Sequence, residues 1–393
     1  MKGLFYLAWR YLIFHRFKTI ILITAITLLI YIPLGLNVLV NNSAEQLTQR
    51  ADNTPLLIGT KGSPLDLVLN SLYFDESQLS SFIYQDYIQL KKNNPVKMIP
   101  LNTLFKARGF PVIGTSLSYF DFRSIKLSKG HMMALLGECV IGANVAESLG
   151  LKVGDSLVTS PESLFDLAGV YPLKMKITGI LETTYTADDN AIFTDIKTAW
   201  VIGGFGHGHQ DLNRPEAISG VLKRTQDTIT ANASVRQYTE ITSDNIDSFH
   251  FHGNSDQFPI TAIIALPDNQ KQSALLQGKF QVNDITKQIV RPDKIIRALM
   301  STIFTVRHYI LIGAFIMGLS TLIMIMLIFM LSQQLRRGEI LTASKIGASR
   351  YFVLGLISFE VLFVTLISIA LALILMLLTQ QYGMLIIQNI IFN

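Results

Sequence analysis

Two histidine pairs have the spacing of metal ligands, His207-Gly208-His209 and His250-Phe251-His252. In an extended segment, residues i and i+2 point to one side, so each pair offers two imidazoles to one face. Imidazole nitrogen suits zinc, and the two pairs supply four nitrogens if they meet in space. Asp211 or Asp256 could complete such a site, and nothing in the sequence selects either. The plainer reading of the same residues is four solvated loop histidines. Cys139 is the single cysteine. It excludes an intrachain disulfide framework and a thiolate zinc cage, and in a stretch that reads as a buried strand it acts as a small hydrophobe.

Other chemistries lack their motifs. The glycine cluster Gly59-Thr60-Lys61-Gly62-Ser63 does not have the G-x-x-x-x-G-K-[ST] spacing that lets backbone amides wrap a triphosphate. Neither a nucleophile elbow nor a metalloprotease helix motif occurs. The chain is not expected to be an enzyme in its own right.

The elements that must carry these residues include membrane helices. Of 393 residues, 50% are hydrophobic and 16% are charged, against about 25% charged in a typical soluble domain. Three apolar runs reach the roughly 20 residues a bilayer crossing needs: residues 19–41, 308–332 and 352–378. Lys2, Arg10, Arg16 and Lys18 precede the first. Arg336, Arg337, Lys345 and Arg350, against the one acid Glu339, lie between the second and third. The positive-inside rule places both flanks in the cytoplasm. Residues 42–307 then form an external domain with room for two subdomains, and residues 379–393, without Lys or Arg, form a short external apolar tail. Residues 1–18 interleave aromatic and basic side chains, the composition of a helix lying in the cytoplasmic interface. Pro33 and Gly35 mark a local kink in the first span.

The external region reads as α+β, because strands and helices do not alternate regularly. Strands are expected at Pro55–Ile58, Val140–Gly142, Leu173–Leu181, Ala191–Thr194, Ile218–Lys223 and Phe258–Leu266. Helices are expected at Ser77–Lys92, Asn144–Leu149 and Asp268–Leu276, and Asp195–Arg214 reads as a loop. A last helix begins near Arg291-Pro292-Asp293, with Pro292 in its first turn, and runs into the second span. Glu360 lies about nine residues into the third span. It either contacts the first span and the basic loop residues or snorkels to water, and the sequence favours snorkelling.

The cytoplasmic loop carries the pattern R-R-x-E-I-x-x-x-x-x-x-G-A-S-R, from Arg336 to Arg350. Its charges precede a short amphipathic helix that Gly347 is placed to end. The pattern resembles the loop of FtsX/MacB-like ABC transporter permeases of type VII. Glu138-Cys139-Val140-Ile141-Gly142 followed by Leu149-Gly150-Leu151-Lys152-Val153-Gly154-Asp155 is similar to the family's strand-helix-turn, which ends L-G-L-x-x-G-D. Ile177-Thr178-Gly179-Ile180-Leu181 and Asn190-Ala191-Ile192-Phe193-Thr194 are similar to its paired strands. The resemblance implies a bacterial inner-membrane permease subunit with a cytoplasmic N-terminus, a periplasmic domain and a periplasmic C-terminus. It implies that Arg336, Arg337, Glu339, Ile340, Lys345, Gly347, Ala348, Ser349 and Arg350 form a coupling helix and turn docking on a cytoplasmic ATPase. Any of these basic residues could instead be a positive-inside anchor. ATP and Mg would be bound by the ATPase dimer. A second permease copy, identical or related, and a periplasmic or lipoprotein partner complete the assembly, with no nucleic acid. The family's fourth membrane helix is expected to be missing. The alternatives are a zinc-linked envelope system using the histidine pairs, a regulator of a cell-wall hydrolase like FtsX, and an ATP-independent membrane sensor.

Overall fold

The computed structural model describes residues 2–77, 79–160, 172–208, 221–224, 229–231, 239–283, 286–345, 347 and 349–391. The chain divides into two compact units, Met1–Leu47 with Ala298–Asn393, and Thr48–Arg297.

The first unit is helical. Helix Lys2–Phe14 is followed by helix Arg16–Asp52, helix Pro292–Leu335, short helix Arg337–Lys345 and helix Arg350–Ile391. Segments Arg16–Asn41, Pro292–Leu335 and Leu354–Gly383 are long and apolar enough to cross a membrane. Large apolar side chains such as Phe315, Met317 and Met326 face outward, as a helix bathed in hydrocarbon requires.

The contacts between the three helices set their directions. Lys18 meets Glu360, Thr27 donates to the Ser368 carbonyl at 3.4 Å, and the Tyr31 and Thr379 hydroxyls lie 2.8 Å apart. Both numbers rise together, so helices Arg16–Asp52 and Arg350–Ile391 run parallel. Arg307 donates to Asn37 and Asn41 at 3.0 and 2.7 Å. Gly318 faces Leu29, while Ile325 and Ile328 pack on the cluster of Leu12, Leu22 and Val364. Here one number rises as the other falls, so helix Pro292–Leu335 runs antiparallel to the other two. Helix Arg16–Asp52 passes through Pro33 without a break. Residues 379–393, read from sequence as a separate tail, instead continue the last helix as far as Ile391, since they contain no proline to stop it.

The second unit is built on a ten-stranded mixed sheet. In spatial order its strands are Lys287–Val290, Leu56–Thr60, Ala262–Leu266, Lys97–Ala107, Phe110–Thr115, Ile192–Asp195, Glu138–Ile141, Lys174–Leu181 and Leu127–Gly130, with Ser156–Val158 also paired to Lys174–Leu181. Leu56, Leu57 and Ile58 are all fully buried, so both faces of the sheet are covered there. One apolar cluster, with Ile58, Met98, Ile263 and Phe280, lies at the first end; another, with Val112, Ile141, Met175 and Ile192, lies at the other.

Four sequence expectations change. Strands Lys174–Leu181 and Ile192–Asp195 do not pair with each other but flank Glu138–Ile141, parallel on one side and antiparallel on the other. Cys139, Val140 and Ile141 are fully buried, which a central strand satisfies and an edge strand does not. The helix expected from Ser77 begins only at Tyr84, because Phe82 and Ile83 pair with Ile260 and Pro259. The expected loop Asp195–Arg214 contains helix Ile196–Ile202, whose first amides Lys197 and Thr198 donate to the Asp195 carboxylate at 2.8 and 3.2 Å, a strong N-cap. The strand Phe258–Leu266 is split at Thr261, whose hydroxyl donates to the Leu101 carbonyl at 3.1 Å.

Candidate functional site

The described residues among 336–350 gather around one turn. Helix Pro292–Leu335 stops, Arg336 forms the turn, and helix Arg337–Lys345 starts at once. Arg337 and Lys345 are exposed, and Ile340 is half-buried in a cavity of about 550 Å³ that Tyr11, Phe14 and Phe352 also line. Gly347 has φ +99°, a conformation open to glycine and costly for other residues. It follows the helix end as a C-terminal glycine should. The Ser349 hydroxyl accepts from the Phe352 amide at 3.2 Å and so caps the last long helix. Ala348 lies outside the described residues, and for Glu339 and Arg350 the structure describes the backbone alone.

Arg336 does not stand free as a membrane anchor. Its guanidinium lies over the Tyr11 ring, 3.7 Å from the centroid, and 3.6 Å from Glu360 Oε2. Lys18 donates to Glu360 Oε1 at 2.9 Å. Glu360 is 4% exposed, so the snorkelling expected from sequence is overturned: two cations meet the carboxylate inside the helix cluster. One acid thereby ties the start of the first long helix, the Arg336 turn and the last long helix together.

The histidines lie elsewhere, on a two-stranded antiparallel ribbon of Gly206–Gly208 and Phe249–Phe251. His207 sits directly opposite His250, and Gly206 and Gly208 sit opposite Phe251 and Phe249. The period of two therefore puts imidazoles on one face and phenyl rings on the other. Phe249 and Phe251 pack against the second apolar cluster, and the Phe251 ring meets Trp200 edge-on at 6.3 Å. A β-carbon on Gly206 would fall 2.6 Å from Phe251, and one on Gly208 2.5 Å from Phe249, so both positions need glycine for the rings to lie flat. The chain continues past the strand, with the His252 amide donating to the Phe205 carbonyl at 2.9 Å. That bond brings His252 beside His207. Ligand nitrogens of His207, His250 and His252 lie within 4.8 Å of one another. His209 and Asp211 lie outside the described residues, and Asp256 does not join the cluster.

Sequence reasoning missed a third arrangement. Arg50, near the end of helix Arg16–Asp52, is buried and donates to both Asp188 oxygens at 2.7 and 2.9 Å, to the Tyr119 hydroxyl at 2.9 Å and to the Leu72 carbonyl. Tyr119 in turn donates to Asp188 Oδ1 at 2.7 Å. Burial drives the Asp188 carboxyl up, but the adjoining Arg50 charge and hydrogen bonds outweigh it and hold the group below its usual range. Burial and the neighbouring Asp188 charge push the Tyr119 hydroxyl up to about 12. Arg50 also faces Phe74 at 5.6 Å. Beside it, Arg297 donates to both oxygens of Asp52 at 2.9 and 2.8 Å. The end of one long helix is thus fixed to the domain core and clipped to the first turns of the next. Nothing local in the sequence signals these partners, since Arg50 and Asp188 are 138 residues apart.

Comparison with known proteins bears on the strand motifs, which lie within the matched residues. A family model described as the MacB-like periplasmic core domain matches residues 19–239. Among solved structures, the chain is similar to the periplasmic region of MacB from Actinobacillus actinomycetemcomitans, at 11% identity over 64% of this chain and 97% of that one, with TM-score 0.35. It is also similar to the extracellular domain of the noncanonic ABC-type transporter YknZ from Gram-positive bacteria, at 12% identity over 60% and 98% of the two chains, with TM-score 0.33. A comparison with curated protein sequences gives no match. With the family model matching more than half of its residues, the chain belongs to the MacB-like periplasmic core domain family and is an ABC transporter permease of the MacB/FtsX type.

Proposed function

We propose that this chain is the permease subunit of a type VII ABC system, passing ATP-driven motion of a cytoplasmic ATPase to a periplasmic domain that handles an envelope substrate. Members of the family are permease components, typically not catalytic themselves, and the family implies a cytoplasmic ATPase partner. The observation that carries the reading beyond family membership is the short helix Arg337–Lys345 between two long apolar helices, with Arg336 bound to Glu360 and Tyr11 at its start. A push on that helix reaches the first and last long helices through one buried carboxylate rather than through a flexible loop.

In this reading, residues 333–351 dock on the ATPase, with Arg337, Glu339, Ile340, Lys345 and the Gly347–Arg350 turn as the contact. Residues 19–41, 308–332 and 352–378 cross the inner membrane, with the N-terminus in the cytoplasm, and residues 42–307 work outside. The parallel first and third helices and antiparallel second are the directions that such a path needs. Two copies would act with two ATPases. The described interior of the three helices holds one carboxylate, Glu360, and polar groups in a membrane usually mark a pathway. Levers, not a polar conduit, fit that composition.

The test is co-purification of the detergent-solubilised chain with soluble ATPases of its host, followed by ATP hydrolysis. A stable partner whose turnover responds to this chain supports the reading. The docking assignment expects Glu339→Ala and Gly347→Val to abolish the pairing. A partner retained by both variants removes the docking assignment, and no partner at all favours an ATP-independent sensor.

A further inference from the structure

We propose that His207, His250 and His252 form a zinc-binding site on the unit Thr48–Arg297, open to ions from solution. The inference rests on the ribbon geometry and on no part of the permease reading.

Four features of the cluster point to a metal. The first is distance. Two nitrogens bound to one tetrahedral zinc at about 2.05 Å lie roughly 3.3 Å apart. His207 Nε2 and His252 Nε2 lie 3.4 Å apart, already at the length of a tetrahedral edge. All three histidines supply nitrogens within 4.8 Å of one another, so a side-chain rotation of His250 closes the other two edges.

The second is ligand orientation. His250 Nδ1 lies 3.1 Å from the Ser248 carbonyl oxygen. A carbonyl can only accept, so Nδ1 carries the hydrogen and Nε2 is the ring nitrogen that bears the lone pair. Fixing one ring nitrogen by a backbone carbonyl is how metal-binding imidazoles are oriented.

The third is rigidity. The imidazoles stand on a ribbon whose other face is pinned by Phe249 and Phe251, with glycines opposite to admit the rings. The alternation of histidine and phenylalanine separates ligand from anchor residue by residue. A solvated loop has no need of that platform.

The fourth is access. His207 is half-buried, while His250 and His252 are exposed. Three imidazole ligands with an exposed side leave a coordination position for water or a carrier's ligand, unlike a closed four-ligand structural site. Imidazole-only sites suit zinc and its late first-row neighbours, whereas calcium and magnesium take oxygen ligands. The ion bound is therefore a zinc-class divalent cation, held reversibly.

The experiment uses the full-length chain in detergent, purified without a polyhistidine tag and stripped with chelator. Zinc chloride is titrated against a chromophoric zinc indicator, and cobalt(II) is added separately as a spectroscopic probe. The expected result is one zinc per chain and a tetrahedral cobalt absorption band. His250→Ala or His252→Ala should lower zinc affinity at least about tenfold, and the His207→Ala/His250→Ala/His252→Ala triple variant should lose both signals. His131→Ala, an exposed histidine outside the cluster, should keep both. Matching far-UV circular dichroism of the triple variant and the wild type excludes unfolding as the cause. A wild-type chain that takes up no zinc overturns the proposal, as does a triple variant that binds as the wild type does. Neither result touches ATPase pairing.

Discussion

Lys18 and Glu360 are 342 positions apart in the chain and 2.9 Å apart in space. Arg336 completes the contact from the other side of the same carboxylate. Removing one partner from a buried ion pair strands the rest, at about 3–5 kcal/mol. Glu360→Gln should therefore lower the thermal midpoint in detergent by several degrees, and Lys18→Met should do so less, because Arg336 remains. In a double-mutant cycle the two changes should be strongly non-additive. Additive effects would show that the pair is not a unit.

The Arg50–Asp188–Tyr119 network makes a sharper prediction about acid. Asp188 is held below its usual range in the folded chain. A carboxyl whose folded pKa is depressed stabilises the fold fully above its unfolded value, about 4. That stabilisation is lost as pH falls further, through the folded value. Asp188→Asn removes the dependence and leaves the buried Arg50 cation without its counter-charge, a loss of about 3–5 kcal/mol at neutral pH. Denaturant unfolding of the wild type and the variant at pH 7 and pH 3 measures it. The gap between the two should shrink on acidification, and a constant gap would place the stabilisation elsewhere.

Tyr119→Phe probes the same network more gently. It removes one hydroxyl that donates to Asp188 and accepts from Arg50, and hydrogen bonds to charged groups contribute about 1.5–3 kcal/mol. The expected unfolding midpoint lies between those of the wild type and Asp188→Asn. A midpoint as low as that of Asp188→Asn would make the hydroxyl, not the ion pair, the main contact.

Gly206→Ala tests the platform under the histidines. Its β-carbon would sit 2.6 Å from the Phe251 ring, and such overpacking costs about 1–3 kcal/mol. The ring must shift, so near-ultraviolet circular dichroism should change around the Phe251 and Trp200 contact. An unchanged aromatic signal with full stability would mean the ribbon is looser than its packing implies.

Ser349→Ala removes the hydroxyl that accepts from the Phe352 amide. Losing such a cap costs about 1 kcal/mol, felt locally because helix ends open independently of the core. Hydrogen exchange at the first amides of helix Arg350–Ile391 should quicken, with the domain sheet unaffected.

The sequence makes the long-period features legible. Apolar runs of bilayer length, the basic residues beside them and Pro292 at a helix start need no tertiary information. The short helix Arg337–Lys345 is legible for the same reason, since its residues and the Gly347 stop are contiguous. The histidine ribbon was half legible. The His-x-His spacing predicts two imidazoles on one side, but His252 joins His207 through a bond to Phe205, and no local pattern encodes that. Asp195 stands as an N-cap immediately before an apolar helix and is obscured by the glycines and histidines that follow. What could not be read was partner choice across long separations. Glu360 has eight basic candidates, Lys2, Arg10, Arg16, Lys18, Arg336, Arg337, Lys345 and Arg350, and Asp188 has nothing nearby to mark Arg50 as its mate.

The strand order also bears on how the chain is made. Leu56–Thr60, the first strand of this sheet in chain order, is hydrogen-bonded between Ala262–Leu266 and Lys287–Val290, its last two. A nascent chain that has reached residue 250 therefore still displays both edges of a strand that ends fully buried, and open apolar edges invite association with other chains. Completion of the sheet waits from Thr60 until Val290 has emerged, about 230 residues later. A holding factor that covers the early strand during that interval should raise the yield of folded chain more than one that acts after release.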